Sequence, residues 1–361
     1  LLLSFPSDRL TPERSSQNHV HMTNIAQVLH LTHGAFIFDN SLIEDWIACP
    51  TKANYKDFRR RTRSQNNSAL SFGSAIHLAL DYRYSKYADL SDLVDLAICE
   101  NNQKKLLEEF FRANPIGDEE HRDLNWAIEL MQQYNQRYTV EPFNLLQKNG
   151  RPLVEQSFAL PFAAYHIESG ELRRIGTLTE VESDEIPIVF SGKIDLPCQY
   201  GDEVYVGDHK TASTMGDQFW KRQRVNPQFI GYCWAWWRLT GQRPMGFLVN
   251  AIRTQAKPIK PRSSWDQWWE ECFSRNKEVI DEEVILDWES NTLLVLEEIF
   301  WQARRGEFAR HRQNCMQYGT CLFYDVCFSK KESQEELLNG SMFEPYTWSP
   351  LIEHKEKFES L

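Results

Sequence analysis

Between Gly192 and Lys210 the chain reads Gly-Lys-Ile-Asp-Leu-Pro, a short polar turn, and Val-Tyr-Val-Gly-Asp-His-Lys. Apolar, β-branched runs at 186–190 and 204–206 predict central strands, where a charge at the end needs a reason. Side chains alternate along a strand, so Asp208 and Lys210 project to the same face. A hairpin brings Asp195 beside them. Two carboxylates this close repel each other unless a cation lies between them. Hard oxygen donors with room for water and phosphate suit Mg²⁺ or Mn²⁺. The adjacent ammonium can orient a water or neutralise charge growing on a phosphoryl oxygen. The pattern points to metal-dependent phosphodiester hydrolysis; an exposed Asp-x-Lys ion pair on an edge strand is the plainer alternative.

With 361 residues, 42% of them hydrophobic, the chain can bury a large core in one elaborated domain or two intimate ones. No run of 18 apolar residues predicts a membrane span, and the start lacks a basic, then apolar, secretory signal. Leu1 in place of Met is expected of a trimmed or partial reading frame. A net charge of −11 argues against a general nucleic-acid coat protein but leaves room for a locally basic groove. Two basic patches stand out. Lys52, Lys56, Arg59, Arg60, Arg61 and Arg63 form one, and Arg253, Lys257, Lys260 and Arg262 the other. Arg59, Arg60, Arg61 and Arg63, with Lys221 and Arg222, are candidate DNA contacts.

Residues 1–35 read as a disordered leader, 36–330 as the main domain with a helical insertion at about 88–150, and 331–361 as a tail. Helices are expected at 42–48, 73–87, 90–113, 118–147 and 217–239, and one long or broken helix at 264–305. Strands are expected from 154 to 210 and near 247–252. This order makes the fold α/β, a sheet wrapped by helices. Two further pairs sit four apart on helices: Gly73 with His77, and Gln228 with Tyr232. Trp234, Trp237, Trp265, Trp268 and Trp269 are expected in the core rather than stacked on bases.

Gly-x-x-x-His, Gly-x-x-Asp, Asp-x-Lys and Gln-x-x-x-Tyr, in this order, resemble the PD-(D/E)XK nuclease superfamily, and within it the RecB and AddB exonuclease branch. The resemblance implies a restriction-endonuclease-like central mixed β-sheet flanked and wrapped by helices. It implies that His77, Asp195, Asp208 and the backbone carbonyl of His209 bind Mg²⁺ or Mn²⁺. Lys210 would position the attacking water, while Gln228 and Tyr232 order the site and the strand. The His209 imidazole should face away, and Glu155 would support the site from the first strand of the sheet.

The eight cysteines, without a signal peptide, point to a reducing compartment and to metal binding or burial. Cys99, Cys198, Cys233 and Cys272 read as core residues. Cys49 lies before the motifs, and Cys315, Cys321 and Cys327 follow them at Cys-x5-Cys-x5-Cys spacing. Relatives carrying a 4Fe-4S cluster resemble this bracket, although their first two late cysteines usually sit only two residues apart. A structural zinc is the alternative. The whole predicts a cytoplasmic exonuclease on single-stranded or free-ended DNA, in a bacterial or phage-infected cell. It would act alone or with a recombination or replication partner. The rivals are a non-catalytic nucleic-acid-binding subunit and a sequence-specific endonuclease.

Overall fold

Asp208 lies on a strand whose residues Val204 to His209 are all buried, which requires neighbours on both edges and cover on both faces. The computed structural model supplies them. It describes residues 25, 27–63, 68–115, 122–255, 258, 264–317 and 319–347. These fall into two units: one drawn from 1–64, 157–192 and 287–353, the other from 65–156 and 193–286.

In the second unit a five-stranded sheet runs in the order Phe273–Val279, Gly246–Arg253, Glu203–Ala212, Leu196–Tyr200, Asn144–Leu145. Glu203–Ala212 is central, parallel to Gly246–Arg253 and antiparallel to Leu196–Tyr200. The sheet is therefore mixed, and the fold is α/β as expected. The register pairs Leu196 with Gly207, so one further step sets Asp195 opposite Asp208. Gly207 permits that pairing: a Cβ there would lie 2.3 Å from the Leu196 carbonyl oxygen.

The helix Ser68–Lys86 buries Phe72, Ala75, Ile76, Ala79 and Leu80, an i, i+3, i+4 stripe. These residues share a core with Leu107, Trp126, Leu130 and Met131 from the helices Leu93–Ala113 and Leu124–Arg137, and with Leu196, Tyr205 and Leu248 of the sheet. Gly73 meets the central strand closely, since a Cβ there would stand 3.0 Å from Thr211 Oγ1.

Three helical expectations are corrected. The 118–147 stretch is helical only over Leu124–Arg137 and carries a strand at Asn144–Leu145. The 264–305 stretch divides into a helix Trp265–Cys272, a strand Phe273–Val279 and a helix Glu282–Arg305. Pairing with Gly246–Arg253 overrides the helical pattern, because tertiary partners outweigh local propensity. The 217–239 stretch breaks at Asn226, which caps a new helix, Pro227–Thr240, through Gln228 N–H at 2.9 Å, with Pro227 in its first turn. Trp234 and Trp268 are buried, and Trp269 packs on the core, but Trp265 is exposed.

The other unit holds its own mixed sheet, in the order Leu31–Thr32, Ala35–Phe38, Glu185–Ile194, Gln156–His166, Leu172–Arg174. Within the spans read as leader and tail, the structure is partly regular: Leu31–Thr32 and Ala35–Phe38 are strands, and Lys331–Leu338 is a helix. Phe343–Pro345 pairs antiparallel with Arg61–Arg63. Among the described residues no helix is long and apolar enough to cross a membrane.

Behind the central strand lies a buried ionic network. Glu141 accepts from Arg83 Nη2 at 2.9 Å and Tyr84 OH at 2.8 Å, and also pairs with Arg275. Arg275 donates to Tyr134 OH at 2.8 Å and Asn250 Oδ1 at 3.0 Å. Asn250 reaches His209 Nδ1 at 2.7 Å. Arg83, Glu141 and Arg275 side chains are at most 9% exposed, so removing the one carboxylate would strand two guanidiniums. Glu141→Ala is expected to cost about 3–5 kcal/mol in urea unfolding at neutral pH; a loss under about 1 kcal/mol would show that the network is not holding the sheet.

Candidate active site

Asp195 is 5% exposed and Asp208 3%. Asp195 Oδ2 accepts the His209 backbone N–H at 3.0 Å and lies 3.5 Å from His77 Nδ1. Asp208 Oδ2 is buried and takes the Lys210 ammonium at 2.8 Å as an ion pair. Lys210 Nζ in turn donates to Gln228 Oε1 at 2.7 Å, and Gln228 Nε2 donates to Tyr232 OH at 3.0 Å. The ammonium also sits 5.2 Å from the centre of the Phe229 ring. Residues 18 to 22 positions beyond the lysine thus form one relay with it, because the Asn226 cap aims the first turn of their helix at the strand.

The His209 imidazole, on the strand face opposite to Asp208, is buried, stacked on Tyr84 at 5.6 Å and edge-on to the His77 ring at 5.8 Å. That is the orientation strand alternation requires. Glu155, noted in the sequence only as a supporting residue, is brought fully into the site. Ligand atoms of His77, Glu155 and Asp195 all lie within 4.8 Å of one another. Glu155 is 8% exposed, its backbone is left-handed at φ +52°, and its N–H donates to the Asp195 carbonyl at 2.9 Å. Its carboxylate pairs with Lys193. Lys193 was missed, although its place two residues before Asp195 puts both on one strand face.

Burial dominates the electrostatics. It pushes Asp208 up to about 6, with the Asp195 charge adding to it and Lys210 opposing. Desolvation raises Asp195 too, against the His209 N–H and the Lys210 charge. Desolvation, then the neighbouring Asp195 charge, lifts Glu155 to about 9. Desolvation lowers His77 to about 4, with Lys210 and Lys193 assisting against the Asp208 charge, so its ring is neutral near pH 7 and able to ligate. Three buried carboxylates that resist ionising together, and a neutral imidazole beside them, fit a hard divalent cation.

The candidate DNA-contacting arginines are largely committed elsewhere. In their own unit Arg59 pairs with Glu335, Arg61 donates to Asn339 Oδ1 at 2.5 Å, and Arg63 meets Asp325 at 3.1 Å. Arg60 lies over the Tyr346 ring at 4.7 Å, while Lys52 and Lys56 hold Asp45 at 2.6 and 2.5 Å. The expected basic strip is thus largely an internal ion network that secures residues 325–346. Lys221 and Arg222 are exposed on the helix Asp217–Arg224. Of the second patch only Arg253 is described; Lys257, Lys260 and Arg262 lie outside the described residues.

Cys49, Cys315, Cys321 and Cys327 are half-buried and lie within electrostatic reach of one another in the first unit, whereas Cys99, Cys198, Cys233 and Cys272 are buried. Cys321 N–H donates to the Cys315 carbonyl at 2.8 Å, and Cys49 Sγ faces the Ala309 carbonyl at 3.9 Å. Thr51 N–H and Asn314 Nδ2 tie the two chain segments at 3.0 and 2.6 Å. Burial raises the Cys321 thiol, with the charges of Cys315 and Cys49 adding to the rise, and takes Cys327 to about 11, with those of Cys321, Cys49 and Cys315 adding.

Residues 41–328 match the PD-(D/E)XK nuclease superfamily, and with that match covering most of its length the chain belongs to this superfamily. A solved structure of a "putative exonuclease" from Eubacterium rectale aligns with 91% of this chain and 100% of its own, at 13% identity and a TM-score of 0.41. No curated protein matches the sequence.

The raised Asp208 carboxyl has a measurable consequence. The metal-free folded state holds its proton more tightly than the unfolded chain does. Its contribution is therefore full below the ordinary value of 3.8 and is lost as pH rises through about 6. Asp208→Asn should stabilise the metal-free protein at pH 7 but not at pH 4, by roughly 1–3 kcal/mol. Thermal melts at both pH values check this; an equal effect at both would contradict the assignment.

Proposed function

We propose that the chain is a metal-dependent DNA nuclease of the RecB-like branch, acting as an exonuclease on single-stranded DNA with a free end. The carrying observation is the continuous contact from Asp208 through Lys210 and Gln228 to Tyr232, beside His77 and Asp195. His77, Asp195, Asp208 and the His209 carbonyl would hold Mg²⁺ or Mn²⁺. Bound there, the cation would polarise the phosphate and acidify a water.

This chain's residues supply the rest. Lys210, fixed at one end by Asp208 and at the other by Gln228, presents its ammonium where a phosphoryl oxygen gains charge. A lysine held by two acceptors pays little reorganisation when the charge develops. Tyr232 fixes the Gln228 amide, so the amide oxygen stays turned toward the ammonium. Single-strand preference and exonucleolytic action rest on the resemblance of the motif set to that branch.

A 4Fe-4S cluster on Cys49, Cys315, Cys321 and Cys327 belongs to the same proposal. The resemblance of the cysteine bracket favours the 4Fe-4S cluster, with zinc as the alternative. Its part would be structural, clasping the segments at 48–55 and 309–327.

Lys210→Ala should reduce Mn²⁺-supported degradation of linear single-stranded DNA by about 10²- to 10³-fold, with circular single strands untouched by the wild type. Cutting of circles would replace the exonuclease reading with an endonuclease. Binding without cleavage under any metal would leave a capture subunit. For the cluster, anaerobically purified protein should carry iron and acid-labile sulfide, and Cys321→Ala should lose both; stoichiometric zinc instead would refute it.

A further inference from the structure

Glu155 and Lys193 form an ion pair inside the candidate active site that the motif set does not use. Three features make the pair unusual. Glu155 is held in a left-handed backbone conformation that a glutamate rarely adopts, and its own N–H anchors the Asp195 carbonyl at 2.9 Å. Its carboxylate is 6% exposed, whereas the Lys193 side chain is 29% exposed, so the lysine is the partner with room to leave. Finally, Glu155, rather than Asp208, joins His77 and Asp195 in the tight group of donor atoms within 4.8 Å.

Octahedral coordination at about 2.1 Å sets adjacent ligand atoms about 3 Å apart and opposite ones about 4.2 Å apart. At most one pair among three such ligands can be opposite, so donors that lie within 4.8 Å of one another would close by no more than about 2 Å, within reach of side-chain rotation. Charge points the same way. With all three carboxylates ionised, Glu155, Asp195 and Asp208 face two ammoniums, Lys193 and Lys210, beside a neutral imidazole. A divalent ion added beside both lysines would turn the site net positive before any substrate charge arrives, so the incoming cation repels the ammoniums. Lys210 is tied to a further acceptor, Gln228 Oε1, and stays.

Building on the nuclease reading, we infer that Glu155 is a side-chain ligand of the divalent cation and that Lys193 is its resident counter-ion, displaced from the carboxylate when the cation binds. Lys193 holds the donors together in the metal-free protein and competes with the metal for Glu155. The mixed nitrogen and oxygen donor set places Mn²⁺ ahead of Mg²⁺ in affinity.

The test is Mn²⁺ binding to the full chain without DNA, followed by calorimetry and by loss of the free-ion EPR signal. Glu155→Gln, which keeps shape and removes charge, should weaken Mn²⁺ binding about tenfold or more. Lys193→Met, which keeps the stem and removes the competitor, should tighten it about threefold. In the double variant the Lys193 gain should vanish, since its target carboxylate is gone. Wild-type affinity in Glu155→Gln, or weaker binding in Lys193→Met, overturns the inference. Asp195→Ala separates this from the parent reading. If it abolishes binding while Glu155→Gln does not weaken it, only the Glu155 assignment fails; if the wild type binds no Mn²⁺, both fail.

Discussion

The site depends on burying carboxylates side by side on one sheet. Asp195 and Asp208 face each other across an antiparallel pair, a register that Gly207 makes possible by letting the Leu196 carbonyl approach. Desolvation makes that arrangement costly, as the raised Asp208, Asp195 and Glu155 carboxyls record. Nothing in a stable core calls for such a cluster. A fold keeps such a cluster when a ligand relieves it, which is the part the proposed cation would play.

The surrounding structure serves to hold that unfavourable group in place. The buried network of Glu141, Arg83, Arg275, Asn250 and Tyr134 binds the back of the central strand through the His209 ring. On the front, the same residue's backbone N–H secures Asp195. His209, the variable middle position of Asp-x-Lys, thus couples a rigid support to the working face without presenting its imidazole there. Lys210 is constrained in the same spirit, between Asp208 and a glutamine that a tyrosine orients.

Much of this was legible because it follows from alternation and short spacing. Asp208 and Lys210 share a face by strand geometry; Gln228 and Tyr232 share one by helix geometry. The α/β class followed from the order of apolar patterns. Residues whose partners come from distant segments were harder to read. Nothing local in Phe273–Val279 announces a strand, since its reason is pairing with Gly246–Arg253 and delivery of Arg275 to Glu141. The arginines at 59–63 look like a nucleic-acid patch until Glu335, Asp325 and Asn339, more than 260 residues away, are seen to take three of them. Glu155 stood in plain view, but its left-handed backbone and its pairing with Lys193 are properties of the fold.

The most direct measurement of the central claim is a crystal of the protein equilibrated with Mn²⁺ and recorded at the manganese absorption edge. The account predicts an anomalous peak bonded to His77 and to the carboxylates of Asp195 and Asp208. Saturating Mn²⁺ with no peak among those side chains, or with the ion bound elsewhere, would contradict it.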